Sequence, residues 1–217
     1  EGDTGNEFSS GDKRDLRLPE AQRILVNKIM EKGKPVIIVN ASGSAINVEA
    51  DCDALIQAWY PGQYGGKALA NILFGKVSPS GKLPVTFYED AAKLPDFSDY
   101  SMENRTYRYA KDNVLYPFGF GLTYSAVKCE SLSYENGTAS VTISNIGNYD
   151  TDEVVQFYIK DTSEYAVPNY SLCGFKRVFI KKGESLMVSA AIDKSAFEAV
   201  DNDGNRKIFG KEFTLYA

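Results

Sequence analysis

The chain has 217 residues and a formal net charge of −5, and it contains no histidine. The acidic balance, without any basic run, argues against nucleic acids and anionic membranes as partners. Because histidine is missing, the sequence lacks the usual general base, the Ser-His and Cys-His nucleophile pairs and the commonest zinc ligand.

The three cysteines (Cys52, Cys129 and Cys173) are odd in number and widely spaced. This pattern argues against a disulfide framework or a metal cluster, so we expect three small buried apolar residues. The sequence therefore predicts no metal site and no cofactor. No apolar run approaches the roughly 18 to 20 residues that a membrane-spanning helix needs.

The first 18 residues are polar and glycine-rich, and they carry five acids: Glu1, Asp3, Glu7, Asp12 and Asp15. A loop of this length is usually functional or disordered. Acids in a surface loop are normally only solvated, so composition alone gives none of them a role.

An α/β pattern follows this loop. Pro19 occupies a favourable first helical position, and the predicted helix has an apolar face around Leu25 and Ile29 and ends at Gly33. The run PVIIVN at residues 35–40 is typical of a strand buried on both faces of a parallel sheet. Residues 54–59 predict a second strand, and the connection between the two is so short that any helix in it must be brief.

Residues 59–75 read WYPGQYGGKALANILFG and form the clearest motif of the chain. A Pro-Gly turn and a Gly-Gly pair lead into a short helix, which has Ala68, Leu69 and Ile72 at helical spacing and Gly75 at its end. The motif contains no acid, base or thiol, so its plain interpretation is a structural strand-turn-helix unit.

Residues 79–124 are less regular. A turn at residues 79–82 precedes a predicted strand at residues 83–88, where Pro84 indicates an edge or a bulge. Residues 89–124 lose periodicity but are rich in aromatic residues, which favours a packed segment that wraps across a neighbouring surface. Tyr107, Tyr109 and Tyr116 suit either packing between domains or stacking on sugar rings, and packing is the preferred interpretation.

After Ser125 the pattern becomes that of an antiparallel β-sandwich with about seven strands. Alternating apolar runs separated by turn residues occupy residues 127–134, 138–145, 153–160, 173–180, 185–192 and 211–217. We therefore predict two domains, at residues 1–124 and 125–217. The expected fold class is α/β plus all-β, with a partial α/β sandwich followed by the β-sandwich.

Several motifs occur together in one order along the chain: LRLP at residues 16–19, AWYPGQ at 58–63, PSGKLPVT at 79–86, RTYRY at 105–109, LYPFGFGLTY at 115–124, EVVQFY at 153–158 and GFKR at 174–177. With these motifs, the chain resembles the C-terminal part of the glycoside hydrolase family 3 β-glucosidases and β-xylosidases. The resemblance implies that residues 125–217 form a fibronectin type III-like domain. It also implies a preceding (β/α)-barrel that is absent from this sequence and that would be its main partner.

The family resemblance also implies a chemistry. Retaining glycosidases use two carboxyl groups about 5 Å apart, one as nucleophile and one as acid/base. In the family the nucleophilic Asp lies in the barrel, and in many members the acid/base Glu lies in a loop of the α/β sandwich. Glu1 matches that Glu in order, because Glu1-Gly2, Gly11-Asp12 and Leu16 follow the family pattern. Glu7 is the alternative acid/base, and Asp3 is expected near the leaving-group sugar.

Two functions remain open from the sequence. The first is that the chain is the C-terminal part of a retaining exo-acting β-glycosidase that hydrolyses terminal β-linked glucose or xylose and is inactive without its barrel. The second is a stand-alone accessory or carbohydrate-binding module. The incomplete α/β half argues against the second, because a divided sheet leaves buried-type strands with an open edge.

Overall fold

The computed structural model describes residues 15–217. The first part of this range contains helix α1 (Glu20–Met30), strands β1 (Ile37–Asn40) and β2 (Ala54–Gln57), and helix α2 (Gly65–Leu73). Strands β1 and β2 pair in parallel, with Ile38 opposite Leu55. The predicted parallel sheet is confirmed, and residues 41–53 between the two strands contain no helix.

The expected burial of this first part is wrong for the described residues. Ile37 and Val39 of β1 are 52% and 37% exposed, and α1 has no buried residue. Leu25 and Ile29 on the predicted apolar face of α1 are also exposed. The physical reason is that the sheet has only two strands here, and no second layer among residues 15–217 covers these apolar side chains.

Residues 83–88 form a shorter strand than predicted. Only β3 (Phe87–Tyr88) is regular, and it pairs antiparallel with β4 (Val114–Tyr116). Before β3, the backbone of Leu83 does not pair with a strand. Its N–H donates to the Phe120 carbonyl oxygen, and its carbonyl oxygen accepts from the Gly119 N–H. The connecting segment (residues 89–124) also holds a 3-10 turn at Ala91–Lys93 and the short helix α3 (Thr106–Tyr109), so its prediction as an ordered irregular segment is confirmed.

The rest of the chain is an antiparallel sandwich of two three-stranded sheets. One sheet contains β5 (Val127–Glu135), β6 (Thr138–Asn145) and β9 (Ser185–Ala191) in the order β5-β6-β9. Strands β7 (Thr151–Asp161), β8 (Ser171–Ile180) and β12 (Phe213–Tyr216) form the other, in the order β12-β7-β8. A 3-10 turn (Lys194–Phe197) and a small hairpin of β10 (Ala199–Val200) and β11 (Arg206–Lys207) lie between β9 and β12.

The core lies between these two sheets. Its buried side chains alternate along β6 and part of β7 with half-buried ones, as expected for a sandwich with one face of each sheet inward. Phe157 is its largest member and is 0% exposed. The core cluster consists of Ala139, Val141, Ile143, Val155, Phe157, Ile180, Val188 and Ile192.

The cysteines only partly follow the prediction. All three are free, but Cys129 is exposed on β5, whereas Cys52 and Cys173 are half-buried. The Cys173 thiol lies 3.2 Å from the Phe157 carbonyl oxygen, to which it donates a hydrogen bond, and burial raises its pKa. Cys129 is exposed because strand β5 is an edge strand with little covering it among the described residues.

Truncating Phe157 is expected to show where the stability of the sandwich lies. Phe157→Ala removes a fully buried ring and leaves a cavity, which should lower the free energy of unfolding by about 3–5 kcal/mol. Phe175 is opposite Gln156 on the neighbouring strand and is 68% exposed, so Phe175→Ala should lower the free energy of unfolding by only about 0.5 kcal/mol. Urea unfolding followed by near-ultraviolet circular dichroism measures both, and equal losses would contradict this assignment of the core.

Candidate functional site

The predicted catalytic Glu1, its alternative Glu7 and the predicted sugar-binding Asp3 lie outside the described residues. The structure does describe the point at which their loop joins the fold. There the Asn47 N–H donates to the Leu16 carbonyl oxygen at 2.7 Å, and Arg17 forms an isolated parallel bridge with Asn47. The guanidinium of Arg17 also pairs with Glu49, with Nε and Oε1 3.2 Å apart. The chain leaving the loop is therefore fastened to residues 47–49.

Asn47 is the centre of this anchor. It is 6% exposed, and its side-chain amide donates to the carbonyl oxygens of Tyr88 and Glu89 at 2.8 and 2.7 Å. Its Oδ1 atom is buried and has no hydrogen-bond partner among the described residues. Because the same residue binds Leu16 through its backbone and β3 through its side chain, it fixes the loop's end against the sheet.

A second buried asparagine holds the next turn. Asn113 is 6% exposed, accepts from the Asp90 N–H at 2.9 Å and donates to the Asp90 carbonyl oxygen at 2.8 Å. The Glu89 N–H donates in turn to the Asn113 carbonyl oxygen at 3.0 Å. Asn113 adopts a left-handed backbone conformation (φ 58°), which asparagine tolerates better than most residues. The two asparagines together give residues 88–90 a rigid frame.

The carboxyl ends of β1 and β2 carry a polar network. The Asn40 amide donates to Gln57 Oε1 at 2.7 Å, and the Gln57 amide donates to the Ser42 carbonyl oxygen at 3.2 Å. Ligands of open α/β sheets commonly bind at this end of the strands. Here, however, these groups bind one another, and Ser42 is 1% exposed and donates to the Ser44 carbonyl oxygen. The network therefore holds the loop that leads to Asn47.

The carboxyl groups of residues 15–217 that show a pKa shift all shift downward. Within this range, hydrogen bonds from residues of their own turns lower the pKa of four carboxyl groups, those of Asp96, Asp99, Asp193 and Asp201. A glycosidase general acid needs the opposite shift, because it must hold its proton near neutral pH.

No group of acidic, cysteine or histidine side chains in the described residues is arranged to hold a metal ion. Nor is any helix in residues 15–217 long and apolar enough to cross a bilayer.

The turn at residues 79–82 is joined to the sandwich by a partly buried ion pair. Lys82 Nζ lies 2.9 Å from Glu153 Oε1, and the two side chains are only 18% and 13% exposed. The same ammonium donates to the Gly121 carbonyl oxygen at 3.0 Å. Sequence analysis missed this pair, although Lys82 lies in the PSGKLPVT motif and Glu153 begins the EVVQFY motif.

Aromatic rings complete this junction. The Tyr107 ring stacks on Phe118 with centroids 4.2 Å apart, and both rings meet the Tyr158 ring edge-on. The Tyr107 hydroxyl accepts a hydrogen bond from the Leu172 N–H at 3.0 Å. Burial raises the pKa of Tyr158 to about 12, helped by the neighbouring Tyr170 and Tyr107. These contacts favour the packing interpretation of Tyr107 over a sugar platform.

Gly119 allows the close approach of the connecting segment to β7. Its φ is +83°, and a Cβ atom there would lie 2.5 Å from Gln156 Oε1 and 2.5 Å from the Tyr158 hydroxyl. The Gln156 amide donates to the Gly119 carbonyl oxygen at 3.2 Å, and the Tyr158 hydroxyl donates to Gln156 Oε1. A side chain at position 119 would force the segment away from the sheet.

Comparison with known proteins identifies this architecture. Residues 1–124 match the glycosyl hydrolase family 3 C-terminal domain, and residues 153–217 match a fibronectin type III-like domain. The chain belongs to glycosyl hydrolase family 3. Its fold is accordingly a mixed α/β region followed by the antiparallel fibronectin type III-like domain, as the sequence predicted.

Family 3 relatives are similar along nearly the whole chain. A xylan 1,4-β-xylosidase of Xylanibacter ruminicola is 41% identical over 96% of the chain, and a periplasmic β-glucosidase of Salmonella typhimurium is 29% identical over 89%. The crystal structure of a Bifidobacterium adolescentis β-glucosidase superposes on 94% of the chain with a TM-score of 0.84 at 29% identity. The chain spans 25%, 28% and 34% of the lengths of these three proteins.

Removing the cation of the Lys82–Glu153 pair should destabilise the family 3 chain. Lys82→Met leaves a largely buried carboxylate without its partner, at an expected cost of about 3 kcal/mol in the free energy of unfolding. Lys128→Met is the matched control, because the Lys128–Glu130 pair on β5 is 60% and 42% exposed and should contribute less than about 1 kcal/mol. Urea denaturation measures both losses.

A double variant separates pairing from packing. Lys82→Met combined with Glu153→Leu removes both charges, so it should recover most of the stability lost in Lys82→Met alone. If the double variant is as unstable as the single one, the contribution of Lys82 comes mainly from its hydrogen bond to the Gly121 carbonyl oxygen, which both variants lack.

Proposed function

We propose that this chain forms the C-terminal part of a retaining, exo-acting β-glycosidase that removes terminal β-linked glucose or xylose residues. The observation that carries the proposal is the 41% identity to a xylan 1,4-β-xylosidase over 96% of the chain, which nevertheless spans only 25% of that relative. The remaining length of such relatives leaves room for a barrel that supplies the nucleophile. We place the boundary between the two domains of this chain after residue 124, two residues before β5 begins.

The uncovered apolar surface of the first part supports a large partner domain. Phe97 is 90% exposed, Phe74 and Tyr100 are each 81% exposed, and Tyr64 is 71% exposed. The outward apolar residues of α1 add to this surface. Large apolar side chains that are exposed in this number favour contact with other protein surfaces. We assign this surface to the barrel and the rest of the α/β sandwich of the complete enzyme.

The anchor at Asn47 supports a catalytic role for the N-terminal loop at residues 1–18. A general acid must be held within hydrogen-bond reach of the leaving oxygen, so the loop that carries it needs a rigid base. Leu16, Arg17 and the buried Asn47 provide such a base. In this proposal Glu1 is the acid/base, Asp3 lies near the leaving-group sugar, and a barrel Asp forms the covalent intermediate.

The chain of residues 1–217 should not hydrolyse aryl β-glucosides or β-xylosides above the uncatalysed rate. It carries at most one of the two carboxyl groups that retention requires, and it has no histidine to act as a base. Release of 4-nitrophenol from the two aryl glycosides measures this. Turnover that survives rigorous repurification would favour a catalytic site within the chain and contradict the proposal.

Glu1 is tested in the complete enzyme. Glu1→Ala should slow hydrolysis most for poor leaving groups, because these need a proton in the first step, and least for activated aryl glycosides. Azide should partly restore the variant by attacking the covalent intermediate without a base, giving a β-glycosyl azide. The measurement is kcat on alkyl and dinitrophenyl glycosides with and without azide.

Glu7→Ala is the matched control, since it removes the other candidate carboxyl group of the same loop. It should retain nearly full activity on alkyl glycosides. Azide rescue of Glu7→Ala, with Glu1→Ala unaffected, would exchange the two roles. Full activity of both variants on poor leaving groups would place the acid/base outside this loop, and Glu1 would then be only a solvated acid.

A further inference from the structure

A cavity lies where the end of helix α2 meets the sandwich, and we call it the junction cavity. It has a volume of about 570 Å³. The first part of the chain contributes Lys76 and Ser78 to its lining, and two turns of the sandwich contribute Asn148, Asp150 and Lys182. Pockets of this size that lie between domains commonly bind small molecules.

Hydrogen bonds hold the walls of the junction cavity together. Ser78 Oγ accepts from the Thr151 hydroxyl at 2.8 Å and from the Tyr124 N–H at 3.0 Å. The hydroxyl of Tyr124, which also lines the cavity, donates to the Ile72 carbonyl oxygen of α2 at 2.8 Å. Because both parts of the chain are joined here, the cavity is formed in advance and little ordering of its walls opposes binding.

Tyr149 provides an aromatic surface in the lining of the junction cavity. It is 63% exposed. Its N–H donates to Ser125 Oγ at 3.4 Å and its carbonyl oxygen accepts from the Asn145 amide at 2.8 Å, so the backbone that carries the ring is held on both sides. The faces of a pyranose ring consist largely of C–H groups that pack on aromatic rings, whereas its hydroxyls need polar neighbours. An exposed tyrosine beside polar side chains therefore suits a sugar.

The charges of the junction cavity favour an anion. Lys76 and Lys182 supply two ammonium groups, and Asp150 supplies the one carboxylate of the lining within residues 15–217. In this range neither lysine is paired with a carboxylate. Lys182 Nζ donates to Asn148 Oδ1 at 3.3 Å, and Asp150 Oδ1 accepts from the Lys182 N–H at 2.8 Å. The cavity thus has an excess of positive charge on a chain whose net charge is −5.

We propose that the junction cavity binds a sugar that carries a carboxylate, as in a hexuronic acid residue of a glycan. The pyranose ring packs on Tyr149, and the ammonium groups of Lys76 and Lys182 bind the carboxylate. A neutral sugar lacks the charge that two unpaired ammonium groups favour, and a small inorganic anion leaves the aromatic ring unused. In the complete enzyme the cavity binds acidic branches of a glycan substrate, a role that rests on the proposed function.

Two matched glycosides test the proposal on the 217-residue chain. Methyl β-D-glucuronide and methyl β-D-glucoside differ in one group, which is a carboxylate in the first and a hydroxymethyl group in the second. Isothermal titration calorimetry should show that the glucuronide binds at least about tenfold more tightly, and added salt should reduce the difference. Sodium acetate tests the carboxylate alone and should bind at least about tenfold more weakly than the glucuronide, because it has no ring to pack on Tyr149.

Variants of the lining locate the bound sugar. Lys182→Gln should weaken binding of the glucuronide about tenfold, because it removes a charge-assisted contact. Tyr149→Ala should weaken binding of the glucuronide and leave that of acetate unchanged. Lys181→Gln is the matched control, since it removes the neighbouring exposed charge outside the cavity lining, and it should change the affinity less than about twofold. Thermal unfolding checks that each variant is folded.

Four results would overturn the proposal. They are no binding of the glucuronide, equal affinity for the two glycosides, acetate that binds as tightly as the glucuronide, and unchanged affinity in both Lys182→Gln and Tyr149→Ala. The third result indicates a general anion site, and the fourth places the sugar elsewhere on the chain. Because these experiments measure binding without hydrolysis, their failure is distinct from a failure of the proposed glycosidase function.

Discussion

The junction between the two parts of the chain depends on the ammonium group of Lys82. It contacts Glu153 at the start of β7 and the carbonyl oxygen of Gly121, and it lies in the turn that precedes β3. One side chain therefore joins three separate stretches of sequence. Because both charges are largely shielded from water, the pair has a high desolvation cost and tolerates few alternative geometries. We interpret it as fixing how the connecting segment lies on the sandwich, with ring packing supplying most of the attraction.

This junction is linked to the anchor of the N-terminal loop by continuous contacts. The Asn47 amide donates to the carbonyl oxygen of Tyr88 in β3, β3 pairs with β4, and Phe87 and Tyr116 meet edge to face across that pair. Tyr116 then stacks on Phe120, which follows the Gly119 turn against β7. The base of the proposed catalytic loop is thus positioned by the same packed frame that holds the fibronectin type III-like domain. These contacts connect the fibronectin type III-like domain to the base of the loop that we propose to be catalytic.

Local sequence patterns predicted the regular elements well and the irregular ones poorly. The strand at residues 138–145 has the predicted bounds, because its alternation and flanking turns are local signals. The strand expected at residues 83–88 is reduced to two residues, because Leu83 forms its backbone hydrogen bonds with residues 119 and 120, far along the chain. Asn47 and Lys82 were not recognised as anchors for the same reason. Their partners are distant in sequence, and neither residue type signals such a role by itself.

The residues whose burial was predicted wrongly are apolar residues of α1 and β1 that the structure leaves exposed. In α1 and β1 the sequence has the apolar pattern of a covered element, whereas the described residues leave Leu25, Ile29 and Ile37 exposed. A continuous apolar face on a helix or strand is typical of an element that another protein surface covers. In a chain that spans a quarter to a third of its relatives, these faces are where we place the contacts with the rest of the enzyme. The exposed apolar faces of α1 and β1 are therefore the surfaces through which we propose that the chain contacts the rest of the enzyme.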